Sequence, residues 1–178
     1  MSKLKYYGNK TIILPDAPPS RVNGIVIPEA ARKPTNTGTV ISIADNEELK
    51  EGDTVAFNYR SGYELEYQDT KYLSINSNYI LAKTNPMQPL HSRVLIQPIK
   101  KPETLTEGGV VLLEDKTLSE GRVLKTGNGT KDEPMVLESG DIVIYPKNAG
   151  VRVGDNIILT QAEVMAINNE QYVEEGND

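Results

Sequence analysis

Gly24-Ile25-Val26-Ile27, Gly38-Thr39-Val40 and Gly52-Asp53-Thr54-Val55 return later in the chain, in the same order, as Gly109-Val110-Val111-Leu112, Gly121-Arg122-Val123 and Gly140-Asp141-Ile142-Val143. The offsets are 85, 83 and 88 residues, and a fourth pair, Tyr79-Ile80-Leu81-Ala82 with Glu163-Val164-Met165-Ala166, follows at 84. Gly-Asp and Gly-hydrophobic pairs also recur by chance in β proteins, but four landmarks in one order at near-constant spacing point to a duplicated unit. The length of 178 residues accommodates two such units, since domains of fewer than about 100 residues can fold alone. Thr84-Asn85-Pro86-Met87-Gln88-Pro89, with two prolines in six residues, reads as an extended linker at the midpoint. The expected domains are therefore 1–84 and 85–178, the second ending in an acidic tail, Glu174-Glu175-Gly176-Asn177-Asp178.

Around these landmarks the chain reads as all-β. Eleven prolines and fourteen glycines punctuate short runs of Val, Ile, Leu, Thr and Tyr, and no helical apolar spacing persists beyond about two turns. Predicted strands in the first half are Thr11–Leu14, Thr39–Ile43, Thr54–Asn58, Lys71–Ile75 and Asn78–Ala82. Those in the second are Arg93–Pro98, Gly121–Thr126, Asp141–Tyr145, Asn156–Leu159 and Val164–Asn168. Short strands at this spacing predict small β-barrels or a sandwich.

Composition narrows the function. Cysteine is absent, which removes disulfides, thiolate catalysis and thiolate metal sites together. The formal charge of −6, with Lys and Arg scattered, disfavours nucleic acid as a partner. No apolar run approaches the ~20 residues of a membrane span, and Met1–Lys10 has no apolar core of the ~7–15 residues that a secretory signal needs. A soluble cytoplasmic protein without cofactor or metal is expected.

Each half contains one segment too long for a tight barrel connection, Pro15 to Asn36 and Lys100 to Ser119. Structureless loops beyond about 12–15 residues are usually functional or disordered. Both carry an aliphatic triplet beside glycine, Ile25-Val26-Ile27 after Gly24 and Val110-Val111-Leu112 after Gly108-Gly109. Either each triplet is a buried strand of its own barrel, or it is a loop tip that docks in a partner's apolar groove.

Taken together, these segments resemble the chaperonin-10 co-chaperonin family (GroES-like) in a tandem, two-domain form. In the second half, Pro89-Leu90-His91-Ser92-Arg93-Val94-Leu95-Ile96 is similar to the family's opening strand and Gly108-Gly109-Val110-Val111-Leu112 to its mobile loop. Gly127-Asn128-Gly129 resembles the entry to the roof hairpin, and Ser139-Gly140-Asp141-Ile142-Val143-Ile144 the strand that follows. The first half is more divergent. Gly24-Ile25-Val26-Ile27-Pro28-Glu29 and Lys33-Pro34 resemble the loop and its exit, but Ala44 to Glu51 leaves little room for a roof hairpin.

The resemblance implies two small GroES-like barrels, a homo-oligomeric ring, and capping of an ATP-bound chaperonin-60 ring through the loop residues Gly24, Ile25, Val26, Ile27, Gly108, Gly109, Val110, Val111 and Leu112. It implies no catalysis. Seven-fold chaperonin rings cannot be matched evenly by paired domains. Either seven chains use one domain each, or about four chains supply both; the roofless first half favours a ring built by the second domain. The tandem form also implies plastid stroma or a phage as possible settings, the former if a transit peptide has been removed.

Two rival functions can be weighed. An enzyme has little support: His91, the only histidine, and Ser92 lack an identifiable acid, and Gly127-Asn128-Gly129 lacks the third glycine of a dinucleotide fingerprint. The Glu47, Glu48, Glu51 and Asp53 cluster reads as a solvated loop. A non-catalytic structural or assembly protein, such as a phage adaptor using the same barrels, is the alternative, and Tyr59, Tyr63, Tyr67, Tyr72 and Tyr79 would suit a broad protein interface.

Overall fold

The computed structural model describes residues 4–44, 46, 48–100 and 118–168. The chain forms two compact units, Met1–Leu90 and His91–Asp178. In the first lie β1 (Lys10–Pro15), β2 (Arg21–Val22), β3 (Ile25–Val26), β4 (Thr37–Ser42), β5 (Thr54–Phe57), β6 (Gly62–Tyr67), β7 (Thr70–Asn76), β8 (Ile80–Thr84) and β9 (Met87–Pro89). In the second lie β10 (Arg93–Pro98), β11 (Leu118–Thr126), β12 (Ile142–Pro146), β13 (Val151–Val153), β14 (Asn156–Thr160) and β15 (Ala166–Asn168). Among the described residues no helix is long and apolar enough to cross a membrane.

The protein is all-β, with two sheets in tandem, neither of which closes by strand pairing. The first runs β6-β7-β1-β4-β5-β8-β9 and the second β13-β14-β10-β11-β12-β15. Placed side by side, the two orders coincide strand for strand, β6 with β13 through β8 with β15. Among the described residues, β9 alone has no counterpart in the second sheet.

The duplication extends to individual hydrogen bonds. The β1–β4 ladder pairs Pro15 with Gly38 and slips register between Ile12 and Ile13. The β10–β11 ladder pairs Pro98 with Gly121 and slips between Leu95 and Ile96, each position 83 residues on. Both slips bend the strand as a β-bulge does. Val40 N–H donates to the Asp53 carbonyl and Gly52 N–H to that of Val40; Val123 N–H likewise donates to the Asp141 carbonyl and Gly140 N–H to that of Val123. Gly52 and Gly140 hold φ of +91° and +100°, a conformation open to glycine at little cost. The following Asp caps each turn, Asp53 Oδ2 accepting from Lys50 N–H and Asp141 Oδ2 from Glu138 N–H, both at 2.9 Å.

Alternation along these strands fills two separate cores. Ile13, Val40, Leu49, Val55, Phe57, Leu73 and Ile75 in the first match Ile96, Val123, Leu137, Val143, Tyr145, Ile157 and Leu159 in the second. Leu90 completes the first core.

The structure adds elements that sequence reading did not supply. Thr84 to Pro89 is not a free linker: β9 pairs antiparallel with β8, Lys83 opposite Gln88 and Thr84 opposite Met87. Proline is tolerated there because β9 is an edge strand with a side that donates to no neighbour. β6 pairs with β7 from Gly62 opposite Ile75 to Tyr67 opposite Thr70. Between Gly127 and Asp141, the place of the expected roof segment, there is no strand. Gly129 N–H donates to the His91 carbonyl, Val136 N–H to Gln161 Oε1, and Gln161 Nε2–H to the Pro134 carbonyl, while Met135 packs on the second core.

Candidate functional site: an apolar finger

The excursion between β1 and β4 is pinched at its base and open at its tip. At the base, Asp16 N–H donates to the Thr37 carbonyl at 2.9 Å, Thr37 Oγ1–H to Asp16 Oδ2 at 2.6 Å, and Thr35 Oγ1–H to the Asp16 carbonyl at 2.7 Å. These contacts bring residues 16 and 37 together, so everything between projects from one point at the ends of two inner strands. The second unit has the same closure, Ile99 N–H donating to the Glu120 carbonyl.

Beyond the pinch the chain folds into the β2–β3 hairpin, Arg21 opposite Val26 and Val22 opposite Ile25. Asn23 and Gly24 make the turn with φ of +50° and +80°, the two positive values that a two-residue type I′ hairpin requires. Ile27 N–H donates to the Ser20 carbonyl and extends the ladder by one bond. Arg32 Nε–H donates back to the Ile27 carbonyl at 3.1 Å, tying the 3-10 turn Glu29–Ala31 to the stem.

The finger's apolar residues face solvent. Ile25 is 72% exposed and Val26 58%, Val22 is exposed beside them, and none belongs to the first core. Ile27 is half-buried. The arrangement excludes a buried barrel strand for Ile25 and Val26. Gly24, Ile25, Val26 and Ile27 are thus gathered on one hairpin, to which Val22 must be added. Asn23-Gly24 between aliphatic residues was the available signal for that hairpin. The corresponding Gly108, Gly109, Val110, Val111 and Leu112 lie outside the described residues, as does the acidic tail.

The duplicated sheets and pinched excursions can now be set against known proteins. A model of the chaperonin 10 Kd subunit family matches twice, over residues 4–84 and 86–167. The chain belongs to this family. Both copies of the repeat are therefore chaperonin-10 domains, together spanning nearly all of the sequence. A co-chaperonin GroES of Bacteroides fragilis is 40% identical over 85 residues, 44% of this chain and 94% of that protein. Those of Staphylococcus carnosus (37% over 90 residues) and Borreliella afzelii (31% over 86) each match over 96% of their length, 44% and 46% of this chain. Each relative is as long as one chaperonin-10 repeat.

Proposed function

We propose that this chain is a non-catalytic co-chaperonin that caps an ATP-bound chaperonin-60 ring, seating its aliphatic loop tips in apolar grooves while a client folds inside. Support comes from the family and from the relatives' names. The observation that carries the reading is the uncovered Val22, Ile25 and Val26 on a hairpin held away from the core. Gly108 to Leu112 is assigned the same role by its place in the repeat.

Burying three aliphatic side chains contributes roughly 5–9 kcal/mol per finger at about 1.5–3 kcal/mol each. Ordering a disordered segment costs about 2–5 kcal/mol, and a tip already folded as a hairpin loses less. One finger remains a weak ligand. Several on one assembly make later contacts intramolecular, and avidity can exceed single-site affinity by about 10²–10⁴, while each contact stays weak enough to release.

The test is co-sedimentation with a chaperonin ring in the presence and absence of ATP. The wild-type chain should bind with nucleotide, and Ile25→Ser/Val26→Ser should reduce binding at least tenfold without altering the circular dichroism spectrum. Val110→Ser/Val111→Ser/Leu112→Ser measures the share of the second loop. Equal binding by wild type and a chain carrying all five changes would discard the capping role and favour a structural protein that borrows the fold.

A further inference from the structure

The sequence holds the dipeptide Asn-Gly twice, as Asn23-Gly24 and Asn128-Gly129, and the fold treats the two in opposite ways. Asparagine before glycine is the least hindered setting for attack by the following backbone nitrogen on the side-chain amide, because glycine has no Cβ to obstruct the approach. Closing that five-membered ring needs an unengaged nitrogen, open space around it, and freedom to turn the backbone between the two residues.

At Asn128 the fold denies all three. Gly127 N–H donates to the Arg93 carbonyl at 2.8 Å and Gly129 N–H to that of His91 at 2.9 Å, so the chain is fastened on both sides and the attacking nitrogen is occupied. The backbone of Glu133 to Met135 packs against Gly129. Asn76-Ser77, the next least hindered pair, is closed off likewise: Ser77 N–H donates to the Asn9 carbonyl, and Asn76 Oδ1 accepts from Asn78 N–H.

Asn23 meets every requirement. Both residues of its pair are exposed at the tip of the finger, and nothing stands within 4 Å of the place where a Gly24 β-carbon would sit. Gly24 N–H donates to no acceptor among the described residues. Beneath the turn lie only the Val22–Ile25 and Arg21–Val26 pairs and the Ile27–Ser20 bond. A two-stranded hairpin by itself is marginally stable in water, so this turn opens at small cost.

We propose that Asn23 is a site of spontaneous deamidation, and that the reaction retires the first finger as a chaperonin ligand. The Gly24 nitrogen gives its proton to solvent and bonds to Asn23 Cγ; the Cγ–Nδ2 bond breaks and ammonia leaves. Water then opens the succinimide at one of its two carbonyls, giving aspartate or isoaspartate. Aspartate keeps the hairpin, since Asp-Gly also favours a type I′ turn, but it sets a carboxylate between Val22 and Ile25 that docking would have to desolvate. Isoaspartate carries the side-chain methylene into the main chain and disrupts the ladder. The second copy escapes, because Gly108-Gly109 stands where the repeat places Asn23-Gly24 and has no amide to lose. The loss of affinity rests on the capping reading; the chemistry does not.

Incubation of the full chain at mildly alkaline pH, followed by peptide mapping with mass spectrometry, reads each asparagine separately. In the folded chain Asn23 should deamidate roughly tenfold faster than Asn128, and unfolding in urea should bring the two rates together. Similar rates in the folded chain, or Asn128 ahead of Asn23, overturn the proposal. Binding to a chaperonin ring with ATP gives the second readout. The affinity of the incubated wild-type chain should fall in step with the modified fraction of Asn23, while Asn23→Gly, still a type I′ pair, should hold its own starting affinity through the same incubation. An equal decline in both chains overturns the link between deamidation and the finger. A fresh chain that fails to bind the ring discards the capping reading and the loss of affinity with it, while the peptide map still decides the chemistry.

Discussion

The first and second domains share a hydrogen-bond plan and differ in what covers it. Ile13 and Ile96, Val40 and Val123, Gly38 and Gly121 sit in one register with one bulge. These inner strands set the fold, and duplication has preserved them to the single residue. The periphery has diverged: β6 has six residues where β13 has three, and β8 has a covering strand where β15 has none among the described residues. Inner strands are constrained on both sides by partners and below by a core, whereas edge elements answer to whatever they meet outside the unit.

The comparison breaks most sharply in the cores. Phe57 is fully buried in the first and Tyr145 takes its place in the second. Phe57→Ala should cost about 3–5 kcal/mol, shifting one of two denaturation transitions and leaving the other. Calorimetry with Tyr145→Ala as the reciprocal variant checks this. A single transition shifted by both variants would mean that the two units unfold together.

A smaller effect tests whether the copies share their closest approach. A β-carbon on Gly38 would stand 2.8 Å from Ile13 Cγ2 and 2.6 Å from the Leu14 carbonyl oxygen; on Gly121 it would collide with Ile96 Cγ2. Space at Gly38 requires the backbone of the bulged strand to move, and space at Gly121 requires the Ile96 side chain to move. Gly38→Ala and Gly121→Ala should each lower stability by about 1–3 kcal/mol, measured by urea denaturation. A cost confined to one copy would show that the other relaxes at its edge.

The inner strands were legible in sequence for the same reason that they are conserved between the copies. Thr39-Val40-Ile41 and Asp141-Ile142-Val143 carry aliphatic residues against a buried face, and each follows a glycine, Gly38 within β4 and Gly140 in a turn. The edges were less so. Tyr63-Glu64-Leu65-Glu66-Tyr67 alternates with period two, but its turn is Gln68-Asp69, with φ of +50° and +59°, and neither residue announces a left-handed turn as glycine does. β9 was hidden by Pro89 and by Pro86 just before it. In the candidate site, the aliphatic triplet was visible, but its hairpin was signalled by Asn23-Gly24 alone, because two-residue strands carry no periodicity.

The Gly-Asp turns allow a finer difference. Asp53 and Asp141 each cap their turn, so replacing either with alanine removes one charge-assisted bond to a backbone N–H. Asp53 also faces Lys83 at 3.4 Å, where the repeat places Ile167 near Asp141. Asp53→Ala should therefore cost more than Asp141→Ala, by less than about 1 kcal/mol, because both partners are about one-third exposed and solvent screens them. The excess should shrink in 1 M salt, as judged by denaturation at two ionic strengths. A salt-independent excess would place its origin in packing rather than charge.

The smallest effect lies on the first domain's enlarged hairpin, at high pH. Burial, reinforced by a 2.7 Å hydrogen bond to Glu64 Oε1 and by the charge of that carboxylate, pushes the Tyr59 hydroxyl from 10.0 up to about 12. The folded chain thus holds this proton more tightly than the unfolded chain does. Its contribution to stability is complete below pH 10 and is lost as pH rises from 10 through about 12. Burial also raises the Tyr145 hydroxyl in the second unit, with Arg152 opposing it, so both domains should weaken in alkali. Tyr59→Phe isolates the first contribution: the stability difference between wild type and variant, constant from pH 7 to 9, should shrink between pH 10 and 12. An unchanging difference across that range would mean that Glu64 does not hold the Tyr59 proton, and that β6 is fastened to the first domain by its β7 ladder alone.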